Sequence, residues 1–121
     1  MSPKGKAQLA QEHLETALDD LNGGREKDAL NAFFYATEAA IVAISDAHGI
    51  DTKRHHGLKA DAATELHQRQ VLADDFGPLL RQLNQARKDV WYEGDEPQLD
   101  RSLEEIAADV ERLVDAATGE R

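Results

Sequence analysis

Residues 29–44 read Ala-Leu-Asn-Ala-Phe-Phe-Tyr-Ala-Thr-Glu-Ala-Ala-Ile-Val-Ala-Ile, a stretch apolar over most of a helical circumference. Leu30, Phe33, Phe34, Ile41 and Ile44 cover one arc, and Ala29, Ala32, Ala36, Ala40 and Ala43 widen it beyond the usual stripe. A helix of this kind must be buried on several sides, so it predicts the central staff of a helical bundle. Its alanines allow neighbouring helices to approach closely, and its aromatic pair fills the gaps between them. One line breaks the apolar rule: Asn31, Tyr35, Glu38 and Ser45 fall near one meridian at helical spacing. That polar line is the candidate for a site.

Around the staff, the remaining segments carry narrower stripes. Residues 6–21 place Ala7, Ala10, Leu14, Ala17, Leu18 and Leu21 at steps of three and four, and Asn22-Gly23-Gly24 stops that helix. The first four residues, with Ser2 and Pro3, read as a frayed start. The central helix is expected over 25–48, ending at Gly49. A weaker helix over 58–70 directs Leu58, Ala62, Ala63 and Leu66 inward and packs at the periphery. Asp74 and Asp75 offer capping carboxylates before a helix over 76–92, with Pro78 in its first turn and Phe76, Leu79, Leu80, Leu83, Ala86, Val90 and Trp91 as the inward set. Gly94 and Pro97 break the chain there. The last helix, over 99–117, repeats Leu99, Leu103, Ile106, Val110, Leu113, Ala117, with Asp100 or Ser102 as its cap and Ser102–Glu105 at capping-box spacing. Nothing alternates like a strand. The fold class is all-α: an up-and-down bundle of four long helices plus a shorter peripheral one, in a single domain over 1–121.

Composition narrows the function. With no cysteine, thiolate metal sites and cysteine nucleophiles are excluded. No apolar run reaches membrane length and no secretory signal is expected, which points to a cytoplasmic protein with no membrane partner. The net charge of −10 repels phosphates on average, leaving local patches to attract them. One basic cluster, Lys53-Arg54-His55-His56-Gly57-Leu58-Lys59, reads as a solvated loop or as a phosphate contact.

Five histidines invite a metal, yet His55 and His56 are adjacent and His13, His48 and His67 lack a partner at ligand spacing. No metal and no cofactor are expected. Gly23-Gly24 lacks the lysine-hydroxyl ending of a phosphate loop. The constellation that carries chemistry is Glu38 and Tyr35 on the staff with Arg87 at the edge of the fourth helix's apolar stripe, where its guanidinium is expected to meet the Glu38 carboxylate. Such a pair either orients two helices or, with Asn31 and Tyr35, grips a ligand carboxylate or phosphate.

Taken together, the phrase from Asp28 to Ile41, then Gly49-Ile50, then His55-His56-Gly57-Leu58, then Arg87-Lys-Asp-Val-Trp-Tyr92 before a final amphipathic helix, resembles a HEPN domain over nearly the whole chain. The resemblance implies a compact bundle that commonly dimerises, with the arginine-bearing helices forming a cleft between subunits. Many members are metal-independent ribonucleases of toxin–antitoxin and antiviral systems that use an arginine, four to six intervening residues and a histidine. Others are noncatalytic and pair with a minimal nucleotidyltransferase or bind ligands. Arg87 matches that arginine, but positions 92–94 read Tyr92, Glu93, Gly94. A tyrosine titrates near ~10 and is a poor base at neutral pH, where a histidine near ~6.5 would serve.

The expectation is therefore a noncatalytic, homodimeric, cytoplasmic binding module of this type. It would recognise a nucleotide, RNA or protein partner, with a nucleotidyltransferase in a toxin–antitoxin or defence system as one such partner, through Arg87, Tyr92, Glu38, Tyr35 and Asn31. The dimer is motivated by Trp91 and Tyr92 near a helix end. One rival is a toxin or antiviral endoribonuclease with His55 or His56 standing in for the missing histidine. Another is a helical partner that docks a second chain through the cleft or through Ile106, Val110 and Leu113.

Overall fold

A computed structural model describes residues 2–53, 58–94, 96 and 99–119, and in it the chain forms five helices. These are α1 (Pro3–Asn22), α2 (Glu26–Ala47), α3 (Leu58–Gln68), α4 (Gly77–Glu93) and α5 (Leu103–Thr118), with no strand among the described residues. The all-α bundle expected from the periodicity is the fold observed. His55, His56 and Pro97 lie outside the described residues.

α2 is the staff: it touches every other helix, and Ala29, Leu30, Phe33, Ala36, Ala40 and Ile41 have no exposure at all. α1 folds back along it through a short turn in which Gly24 adopts φ +74°, a left-handed conformation open to glycine at little cost. Arg25 staples the turn by donating from Nε to Asp20 (2.9 Å) and from Nη2 to the Asp19 carbonyl (3.1 Å). Residues 2–4 of the expected frayed start are ordered into the helix and its cap, and Met1 lies outside the described residues. Pro3 stands in the first turn and the Ser2 hydroxyl accepts from the Gly5 amide at 3.1 Å, so a cap and a fixed φ start α1 earlier than its apolar stripe does.

α5 lies against α1 and α2, and it begins at Leu103 because Ser102 and Glu105 form a reciprocal capping box. Leu99 precedes the helix and is half-buried against the core. Ile106, Val110 and Leu113 are fully buried in the bundle's own core, so that stripe is not a docking surface for another chain. α3 packs on α2 and α4 alone among the described residues, the peripheral place its sparse stripe predicts.

The α3–α4 junction is close. A Cβ at Gly77 would stand 2.6 Å from Thr64 Oγ1 and 2.8 Å from the Ala60 carbonyl, so glycine is what lets the two helices meet. Asp75 binds both, accepting from the Gly77 amide (2.8 Å) and the Thr64 hydroxyl (2.9 Å). The N-cap position of α4 is Phe76, which has no side-chain cap, and Asp75 one residue earlier instead accepts from the first helical amide and fixes where α3 sits.

Candidate functional site

Three helices enclose a cavity of about 580 Å³ lined by Phe34, Tyr35 and Glu38 from α2, Lys59 and Ala60 from α3, and Leu80, Arg81, Asn84, Arg87 and Lys88 from α4. Helical spacing explains the α4 contribution, because positions 80, 84, 87 and 88 share one face. On α2, Tyr35 and Glu38 come from the polar line, while Phe34 forms the wall next to it.

Arg87 turns inward. Its guanidinium carbon lies 4.4 Å from the centroid of the Phe34 ring and 5.8 Å from that of Tyr35, a cation held against aromatic faces. One terminal nitrogen donates to Asn84 Oδ1 at 3.1 Å, whereas Nε is buried with no hydrogen-bond partner. The expected ion pair with Glu38 does not form. Glu38 instead lies 3.2 Å from Lys59 Nζ, because the close α3–α4 junction brings the first turn of α3 beside the polar line of α2. Arg81 reaches out of the cavity to Asp61 at 2.8 Å. Arg87 and Lys88 form no ion pair among the described residues.

The sequence-predicted residues are thus divided. Arg87, Glu38 and Tyr35 line one cavity; Asn31 and Tyr92 do not. Asn31 sits half-buried one turn before Tyr35, and Tyr92 stands 72% exposed at the end of α4. Trp91, which the sequence placed either at the edge of the inward set or exposed beside Tyr92 at the helix end, is 52% exposed. Val90 already closes the core there, and the helix ends at Gly94 in a left-handed cap before α5 can cover it. Ser45, on the same meridian as Glu38, is fully buried, since the chain folds back over it with the Ile50 amide donating to its carbonyl at 2.9 Å.

Phe34, Arg81, Asn84 and Lys88 line the cavity without having been sequence candidates for the site. Asn84 and Lys88 were findable, being three residues before and one after Arg87. Lys59 was named only as the end of the basic cluster, and its place beside Glu38 was not legible because it depends on how α3 docks. A histidine also joins the cluster, for the His13 ring on α1 lies 5.6 Å from that of Tyr35. His67, by contrast, is spent on structure, with Nδ1 3.2 Å from the Leu72 carbonyl.

Among the described residues no three His, Asp or Glu side chains converge as metal ligands, and no helix is long and apolar enough to cross a membrane. A second groove, of about 640 Å³, is lined by alanines of α1, α2 and α5 together with Leu72 and the polar side chains of Lys4, Gln8, Gln11 and His48, with no buried, unpaired polar group in its lining. A third cavity, of about 620 Å³, carries Asp74, Asp109, Arg101 and Arg112, which pair with one another. Of these cavities, the one around Arg87 is the one whose lining holds a buried, unpaired side-chain donor.

The sequence model of the HEPN domain matches residues 7–120. No curated protein and no solved structure is significantly similar to the chain.

Proposed function

Because the chain belongs to the HEPN domain family, we propose that it is a noncatalytic binding module that takes a phosphate-bearing ligand, a nucleotide or an RNA end, in the cavity around Arg87. The observation that carries this reading is the state of the arginine itself. It is drawn inward onto Phe34, has no carboxylate partner among the described residues, and keeps a buried donor unsatisfied. A structural arginine in a chain with 24 acidic residues would be expected to hold one of them. A planar fork left short of an anion suits a phosphate, which it grips bidentately, while Lys88 and Lys59 supply further charge. Tyr35, 38% exposed at the edge of the cavity, offers a face on which a base stacks.

In the same proposal the chain acts in the cytoplasm as a homodimer, with Trp91 and Tyr92 as the apolar anchors between subunits. A minimal nucleotidyltransferase of a toxin–antitoxin or defence system is the protein partner it would serve. The test is titration of AMP and a 5′-phosphorylated RNA oligomer into the protein and into Arg87→Ala, followed by amide chemical shifts. The variant should bind at least roughly tenfold more weakly. Equal binding by both proteins would overturn the reading.

One observation favours a second reading, that of an endoribonuclease. His13 contacts Tyr35, and Tyr35 contacts Arg87, so an imidazole stands near the arginine although none follows it in sequence. Cleavage of total RNA that is lost in both His13→Ala and Arg87→Ala would establish that reading instead.

A further inference from the structure

Glu38 is the one carboxylate among the residues lining the Arg87 cavity, and it faces a wall that carries Lys59, Arg81, Arg87 and Lys88. It holds Lys59 by a single contact of 3.2 Å, and both side chains are about a third exposed. Among the described residues it has no other partner. We infer that Glu38 is an internal counter-ion of this cavity, a built-in anion that occupies Lys59 in the free protein and must yield it when a phosphate-bearing ligand enters.

The inference rests on the proposed phosphate site and adds to it the residue that limits affinity and selects the ligand. The reasoning is electrostatic. Of the four cations, Arg81 is already committed to Asp61 outside the cavity, leaving Arg87 and Lys88 without carboxylates. Lys59 is the third cation the site can offer, and Glu38 competes for it. A carboxylate held by one partly exposed contact is weakly fixed, so a phosphate with more charge and more acceptors displaces it. Once displaced, Glu38 still faces the bound anion across the same cavity, and that like-charge repulsion weakens binding. The site therefore disfavours bare, highly charged anions. It prefers a phosphate that brings a hydroxyl or amino donor, because such a donor gives the freed carboxylate a partner.

The test titrates inorganic pyrophosphate and AMP into the wild-type protein, Glu38→Gln and Arg87→Ala at low and high potassium chloride, with affinities from amide chemical shifts. Glu38→Gln removes the charge while keeping the shape. It should bind pyrophosphate at least roughly fivefold more tightly than wild type, with a smaller gain for AMP, and the advantage should shrink as salt rises. If Glu38→Gln binds pyrophosphate no better than wild type while Arg87→Ala still loses binding, the counter-ion role is wrong and the phosphate site stands. If neither wild type nor Glu38→Gln binds either probe, the phosphate site and the counter-ion fall together. Glu38→Ala replaces Glu38→Gln should the latter fail to fold, as judged by circular dichroism.

Discussion

The carboxylate of Glu38 lies 3.2 Å from the ammonium of Lys59, tying α2 to α3, while Arg87 of α4 rests on the Phe34 ring of α2 without an acid of its own. The two charged groups that the sequence places opposite one another share a cavity and take different partners. A guanidinium that holds no helix by an ion pair is free to hold a ligand.

Arg87→Met should leave stability within about 1 kcal/mol of wild type. The substitution loses a cation–π contact and a hydrogen bond to Asn84, but it removes a buried, unsatisfied donor and keeps the apolar stem. Phe34→Ala, by contrast, empties part of the core and should cost about 3–5 kcal/mol. Urea unfolding of both variants checks the contrast. A loss at Arg87→Met as large as that at Phe34→Ala would make the arginine a structural group.

Gly77→Ala should destabilise by about 1–3 kcal/mol, since the added methyl meets both the Thr64 hydroxyl and the backbone carbonyl of Ala60. The carbonyl cannot swing aside. Relief comes from moving α3, which carries Lys59 away from the cavity, so AMP binding should weaken along with stability. Thermal unfolding and an AMP titration read the two effects, and intact binding would uncouple the α3 position from the site.

Asp109 links stability to pH. Its partial burial pushes the carboxyl pKa up, but hydrogen bonds from Arg101 and Arg112 outweigh this and hold it below the usual 3.8. A depressed carboxylate contributes stability that is present above its unfolded value and lost as pH falls through its folded one. The wild-type protein should therefore lose part of its stability as pH drops below about 4. Asp109→Asn should be less stable at neutral pH and show a shallower decline in that acid range. Urea midpoints between pH 7 and pH 2 measure the slope, and identical acid limbs would remove Asp109 from the account.

Trp91→Asp should convert the proposed homodimer to a monomer and change monomer stability by no more than about 0.5 kcal/mol, because the side chain is 52% exposed and outside the core. Light scattering across micromolar concentrations gives the mass. A wild-type protein that is already monomeric there would overturn the dimer.

Much of the fold was legible because burial of apolar stripes is a local property of spacing. The staff at 29–44, the α4 stripe through Leu79, Leu83 and Val90, and the α5 stripe through Ile106 and Val110 are each recorded in the order of residues. That Tyr35, Glu38 and Arg87 would share a cavity was legible for the same reason: Tyr35 and Glu38 interrupt an otherwise apolar helix, and Arg87 interrupts another. Spacing left Trp91 between the core and the surface, because periodicity continues past the point where a neighbouring helix stops covering it. The start of α1 was misplaced because a capping hydroxyl, not an apolar residue, decides it.

The amino-acid order alone thus determined the helices, the core and the identity of the family, since each follows from side chains a few positions apart on one helix or from a pattern along the whole chain. Tertiary structure decided who pairs with whom. Gly77 and Asp75 bring α3 close enough for Lys59 to take Glu38, and that choice leaves Arg87 on Phe34 with an unused donor. A salt bridge falls off within a few ångströms, so its partner is set by how helices dock and not by which charges the chain contains.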